Sequence, residues 1–298
     1  MNTQANSASI AAPSISSARL LYWSIRRELL EYRSIYLAPL SIAGVVLLGS
    51  VFVLVHLPRE VRAALALDPA QQRDAIAHPF EISAALIMAA SFIVSIYYAL
   101  DTLYGERRDR SILFWKSLPV SDLTVVLAKA CVLLAVLPAV AFVVTAVADG
   151  VILLLGSAVL AANGLSVAKY WALLLPVQAM AGLAYHLVTV HILWYAPLYT
   201  WLMLVSAWSR RAPLLWAALP PFAIVIFERV AFHTTYFSNF LLSRVSGGSD
   251  TQNHNMLDPE MKMAVEHFIL TPGLWWGLLF SAAFLVAAAR LRRYRGPI

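Results

Sequence analysis

"LAPLSIAGVVLLGSVFVLVHL", residues 37–57, contains no Asp, Glu, Lys or Arg, and its one proline falls in the first turn. A helix rises about 1.5 Å per residue, so a run of about 20 apolar residues is long enough to cross a hydrocarbon core. The run is too long, and starts too far into the chain, for the apolar region of a cleaved signal peptide, and it reads as a permanent anchor. Working outward, similar runs occupy residues 82–104, 123–148, 170–208, 212–230 and 272–291. The predicted fold is therefore all-α, a polytopic integral membrane protein with six transmembrane helices. Composition agrees: 61% of residues are hydrophobic and 13% charged, with mean hydropathy +0.74. Soluble domains carry roughly 25% charged residues, and the apolar excess here has only a lipid bilayer to face.

Two pieces of this pattern stay open. The run 170–208 is too long for one perpendicular crossing and holds Pro176 and Pro197, so it reads as a long kinked helix or as a helix with an interfacial extension. Residues 151–162 are too few to cross and read as a helix extension or a re-entrant segment. Residues 1–16 are rich in Ser, Ala and Asn and are expected to be a disordered tail, leaving 17–298 as a single six-span transmembrane domain. In "ARLLYWSIRRELLEYRSIY", residues 18–36, Leu21, Ile25, Leu29, Tyr32 and Tyr36 recur at helical spacing while Arg19, Arg26 and Arg33 fall elsewhere. That pattern predicts an N-terminal interfacial helix, or alternatively a water-exposed start to the first span.

Cytoplasmic loops are enriched in Lys and Arg, which sets an orientation. With the N-terminus inside, the inner segments hold Arg19, Arg26, Arg27, Arg33, Arg107, Arg108, Arg110, Lys116, Arg210, Arg211, Arg290, Arg292, Arg293 and Arg295. The outer segments carry fewer basic residues, together with Glu60, Asp68, Asp74, Glu81, Asp250, Asp258, Glu260 and Glu266. Both termini are thus expected in the cytoplasm. The net charge of +6 is spread over short loops and ends rather than one face, so nucleic acid is not an expected partner. The single cysteine, Cys131, excludes an intrachain disulfide and a cysteine-based metal cluster.

The most charged interruption is "GERRDRSILFWKSLPVSD", residues 105–122, between the second and third spans. Charges lead into an apolar cluster, Pro119 ends it, and Ser121 or Asp122 caps the next helix. A short helix parallel to the membrane fits; so does a positive loop with an aromatic interface anchor. Continued to Ala130, the stretch resembles the loop between the second and third spans in permease subunits of type-2 ABC transporters, mostly ATP-driven exporters. That pattern has a Glu, a small pair, an apolar cluster, a Pro before a small residue, and a Lys as the next span opens. Glu106, Ser111, Ile112, Leu113, Leu118, Pro119, Ser121 and Lys129 match it, while Arg110 stands where the family usually has Gly.

The resemblance implies a permease subunit of the plasma membrane that forms a substrate path and is gripped through a cytoplasmic coupling helix. Glu106, Arg107, Ser111, Leu113, Phe114, Trp115, Leu118 and Pro119 would form the coupling element. Phe114 and Trp115 would enter a cleft of the ATPase, with Glu106, Arg107 and Arg108 as a charged rim. Glu106 is expected in an exposed ion-pair network with Arg107, Arg108 and Arg110. The resemblance further implies a second permease subunit, identical or different. The chain contains no G-x-x-x-x-G-K-[ST] loop, so no cofactor is expected in it; ATP and Mg would sit on a partner ATPase subunit.

Polar residues inside the spans supply the remaining candidates. Tyr97, Asp101 and Tyr104 share a helix face, and His186, His191, Tyr195 and Tyr199 punctuate the fourth run, so Tyr97, Asp101, His186, His191 and Tyr195 are candidate path-lining residues. A metal site is disfavoured, because no Glu accompanies the histidines. Lys129, Asp149, Glu228 and Arg229 read as interface anchors. In the outer loop, Asp258, Pro259 and the stripe Leu257, Met261, Val265 and Phe268 predict a short surface helix. The alternatives are an intramembrane enzyme, for which no nucleophile and base can be named, and a secondary transporter, for which no inverted repeat is visible.

Overall fold

A computed structural model describes residues 16–118, 120–247 and 268–298, with Ser17 and Ala70 described by backbone alone. The expected tail at 1–16, apart from Ser16, and the stripe at 257–268, apart from Phe268, lie outside the described residues. Among the described residues every regular element is helical. In chain order they are α1 (Ser17–Glu31), α2 (Ser34–Ala64), α3 (Pro69–Arg108), α4 (Ser111–Ser117), α5 (Asp122–Cys131), α6 (Leu137–Ala162), α7 (Val167–Leu174), α8 (Pro176–His186), α9 (Ala196–Trp208), α10 (Pro213–Ala231), α11 (Tyr236–Val245) and α12 (Pro272–Tyr294). Six helices are long and apolar enough to cross a membrane: Ser34–Ala64, Gln71–Arg108, Asp122–Ala162, Val167–Trp194, Pro213–Ala231 and Pro272–Tyr294. The protein is an all-α, multi-pass membrane protein.

Prolines shape the long rods. Pro138 has no N–H for the carbonyl four residues back, and the chain absorbs the defect in a π-helical stretch, Val132–Val136, that joins α5 to α6. A second π stretch, Leu187–Trp194, joins α8 to α9 just before Pro197. In each, the residue after the stretch donates five residues back, Leu137 to Val132 and Tyr195 to Val190. The two sharp corners precede prolines as well. Leu175 (φ 43°) and Ala212 (φ 48°) are left-handed, and the proline after each disfavours continuing through the right-handed helical region. The long fourth run is accordingly a rod bent at Leu175 and carrying a π stretch. Residues 151–162 continue α6 as a helix extension, resolving that open reading.

Side-chain placement suits a bilayer solvent. Small residues fill helix contacts, with Ala43, Ala84, Ala99, Ala128, Ala130 and Ala148 all buried, while Leu48, Phe52 and Val55 of α2 are exposed. One apolar cluster gathers α2, α3, α5, α9 and α12 around Tyr98, Leu133, Leu137, Tyr199 and Met203. A second, at the other end, packs Leu54, Leu57, Ile76, Leu153, Leu160, Tyr170 and Leu174 and ties α7 to α2, α3 and α6. Helix α11 was not anticipated in sequence; Glu228 builds it by accepting from Thr234 Oγ1 at 3.0 Å and from the Phe237 amide at 3.0 Å. Glu228 is thus a turn-forming acceptor, which its reading as an interface anchor missed.

Candidate functional site: a buried charge hub beneath a short helix

Helices α1, α3, α5 and α12 meet at the end of the molecule that carries α4, and they bring three carboxylates and three cations together. Lys129, 1% exposed, projects from α5 and directs its ammonium at Glu28 (2.8 Å), Thr102 Oγ1 (2.9 Å) and Glu106 (3.1 Å). An ammonium has three N–H donors, and three acceptors stand around this one. Glu28 of α1 also accepts from Tyr98 at 3.0 Å and from Arg27 at 2.5 Å. Glu106, at the end of α3, faces Arg27 (2.9 Å), Lys129 (3.1 Å) and Arg292 (3.1 Å), and Arg292 of α12 also holds Asp122 at the start of α5. Ion pairs taken out of water are tolerated only when geometry and further hydrogen bonds compensate the lost hydration, and this hub supplies both.

This arrangement corrects the sequence reading of Glu106. Its carboxylate is 3% exposed, and its partners come from α1, α5 and α12, not from Arg107, Arg108 and Arg110 of its own loop. Arg107 is buried as well: Nη1 donates to the carbonyls of Ala207 (2.7 Å) and Ser209 (3.0 Å), capping α9, so it forms no exposed rim. Lys129 is a hub member and no interface anchor. Asp149, far along α6, is buried and accepts from Ser83 Oγ at 2.7 Å.

The short helix α4 sits on this hub. Ile112 is 1% exposed and roots it, and Ser111 Oγ donates to the Glu106 carbonyl at 3.4 Å. The Arg27 guanidinium lies 3.8 Å from the centroid of the Trp115 ring, so a single side chain touches both α4 and Glu106. Burial opposes the Arg27 charge, but Glu28, Glu106 and Glu31 around it outweigh that and raise its pKa above the ordinary value. Lys116 donates to the carbonyls of Arg293 (3.2 Å) and Arg295 (3.3 Å) at the end of α12. The other face is bare, with Leu113 58%, Phe114 60% and Leu118 39% exposed. Arg110 leads into α4 at φ 59°, a left-handed conformation that glycine adopts without strain. Pro119 lies outside the described residues; beyond it, Ser121 caps α5 by accepting from the Thr124 amide at 3.1 Å.

The candidate path residues separate into two groups. Asp101 accepts from Tyr32 at 3.2 Å and pairs with Arg108 at 3.5 Å, close to the hub, while Tyr97 points out of the fold, 58% exposed. His186, His191 and Tyr195 do come together, in an edge-to-face row with centroids 5.9 Å and 5.3 Å apart, and Phe92 of α3 packs 5.2 Å from Tyr195. That row lies along the π stretch of the bent fourth run. Sequence reasoning missed Glu28, Asp122 and Arg292 as site residues. Glu28 had a signal: with Glu31 it is one of two acids among four nearby arginines at the mouth of a membrane span. No protein-family model, curated protein sequence or solved structure matches the chain.

Proposed function

We propose that this protein is the permease subunit of an ATP-driven exporter, with α4 as the coupling helix that takes up movement from a separate cytoplasmic ATPase subunit. The observation that carries this reading is the two-faced character of α4. Leu113, Phe114 and Leu118 present an uncovered apolar surface at the most charged end of the molecule, while Ile112, Trp115 and Lys116 fix the opposite side to α3, α1 and α12. An apolar patch ringed by charge is the composition of a protein contact, with anchors at its centre and a polar rim. Force applied to α4 passes through Arg27 and the hub to the second, third and last spans as rigid-body movement. ATP and Mg belong to the partner subunit in this reading. The α4 end and both termini face the cytoplasm, as the Lys and Arg bias requires. The membrane is the plasma membrane, and a second permease subunit completes the path.

Co-expression with an ABC-type ATPase subunit, sought in the neighbouring reading frames of the genome, tests the proposal. Phe114→Glu, on the bare face, is expected to reduce co-purification of the ATPase at least tenfold while leaving insertion unchanged, since the ring is 60% exposed and packs edge-to-face only on Trp115 of the same short helix among its ring contacts. Wild-type stoichiometry in Phe114→Glu and in Leu113→Glu would remove α4 from ATPase docking.

A further inference from the structure

A cavity of about 130 Å³ opens between α3, α6 and the bend from α7 to α8, at the end remote from the hub. Leu175, left-handed before Pro176, turns α7 away from α8 and leaves the gap. Phe80, Leu153, Met180 and Leu183 make most of the wall apolar, and Asp149 and Glu81 are its acidic members. Asp149 is only 6% exposed. One of its carboxylate oxygens accepts from Ser83, and no cation among the described residues pairs with either Asp149 or Glu81. No basic residue lines the cavity. A buried carboxylate with one hydroxyl donor and no cationic partner is costly, and a cation brought in by a ligand offsets that cost. The apolar walls set the rest of the ligand: an engineered cavity of about 150 Å³ lined by aliphatic and aromatic groups takes up benzene.

We infer that this cavity binds a small organic cation, an ammonium bearing one apolar group of about benzene size, with the ammonium hydrogen-bonded to Asp149. The inference rests on the cavity and not on the exporter reading, and its test contains no ATPase. The protein purified in maltoside detergent is titrated calorimetrically with benzylammonium chloride. Saturable binding is expected, with benzyl alcohol at least tenfold weaker. Asp149→Asn is expected to lower benzylammonium affinity at least tenfold, and Ala146→Phe, which fills the cavity but keeps the carboxylate, to abolish binding. If Asp149→Asn fails to fold, Ala146→Phe and the alcohol comparison still decide. Competition by added phosphatidylethanolamine would assign the ammonium to a lipid headgroup, and lack of competition to a free amine; both outcomes uphold the chemistry. Absence of saturable binding, equal affinity for benzyl alcohol, undiminished binding in Ala146→Phe, or displacement by potassium as effective as by a second organic amine would overturn it.

Discussion

Arg110 holds φ 59° and ψ 7° immediately before α4, a conformation in which an L side chain costs about 1–2 kcal/mol and glycine costs nothing sterically. Its side chain is exposed, and no ion pair among the described residues justifies the strain. Arg110→Gly is therefore expected to stabilise the protein by about 1 kcal/mol, after the extra unfolded-state entropy of glycine is subtracted, as read by thermal unfolding in detergent. Glu106 behaves oppositely. Each of its three cationic neighbours is held within 3.1 Å, and Lys129 and Arg292 are almost wholly buried. Removing the charge leaves three cations sharing Glu28, Glu31 and Asp122 in a site closed to water, so Glu106→Gln is expected to cost about 3 kcal/mol. Adding Lys129→Met to that variant restores charge balance, leaving Glu28 and Asp122 against Arg27 and Arg292, and is expected to recover a large part of the loss. Additive losses in the double variant would show that the hub does not act as a unit.

Among the elements, α4 has the weakest claim to independent stability, since seven residues are too few to hold a helix without tertiary support. Its support comes from buried Ile112, from the Lys116 bonds to the end of α12 and from the Trp115 face against Arg27. Lysine would keep the charge near Glu106 but lose the planar stacking, so Arg27→Lys is expected to raise amide exchange across 111–117 several-fold with the exchange of α3 and α5 unchanged. Unaltered exchange in α4 would place its support elsewhere. The same contrast explains what could be read in advance. Six spans, the helix at 17–31 and the short helix at 111–117 were legible because apolar length, period and a capping serine are local properties. The hub was not, because its partners are 79, 101 and 186 residues apart in sequence, and spacing along one helix carries no information about which helices meet. Counting loop arginines placed Glu106 among its sequence neighbours, Arg107, Arg108 and Arg110. Folding places two of them elsewhere: Arg107 turns back to cap α9, and Arg108 reaches Asp101 and Asp109. The π stretches left only an indirect trace, in Pro138 and Pro197.

On the scale of the whole molecule, charge is polarised along the membrane normal. The α4 end gathers Arg27, Arg107, Arg108, Lys116, Arg292 and the carbonyl-bound Arg295 in excess of its acids, whereas at the α2–α3 turn Arg59, Arg62 and Arg73 are matched by Glu60, Asp68, Asp74 and Glu81. Basic segments are retained on the cytoplasmic side during insertion, and the proposed orientation, with the α4 end inside, rests on that bias. Asp68 and Arg210 are both exposed, lie at opposite ends, and make no ion pair among the described residues, so a cysteine at either site disturbs little. In a Cys131→Ser background, an impermeant maleimide applied to intact cells is expected to modify the Asp68→Cys protein and to spare the Arg210→Cys protein until the membrane is permeabilised. The reverse pattern would turn the bundle over. It would also carry α4 to the outer surface, out of reach of any cytoplasmic ATPase, and the proposed function would fall with the orientation.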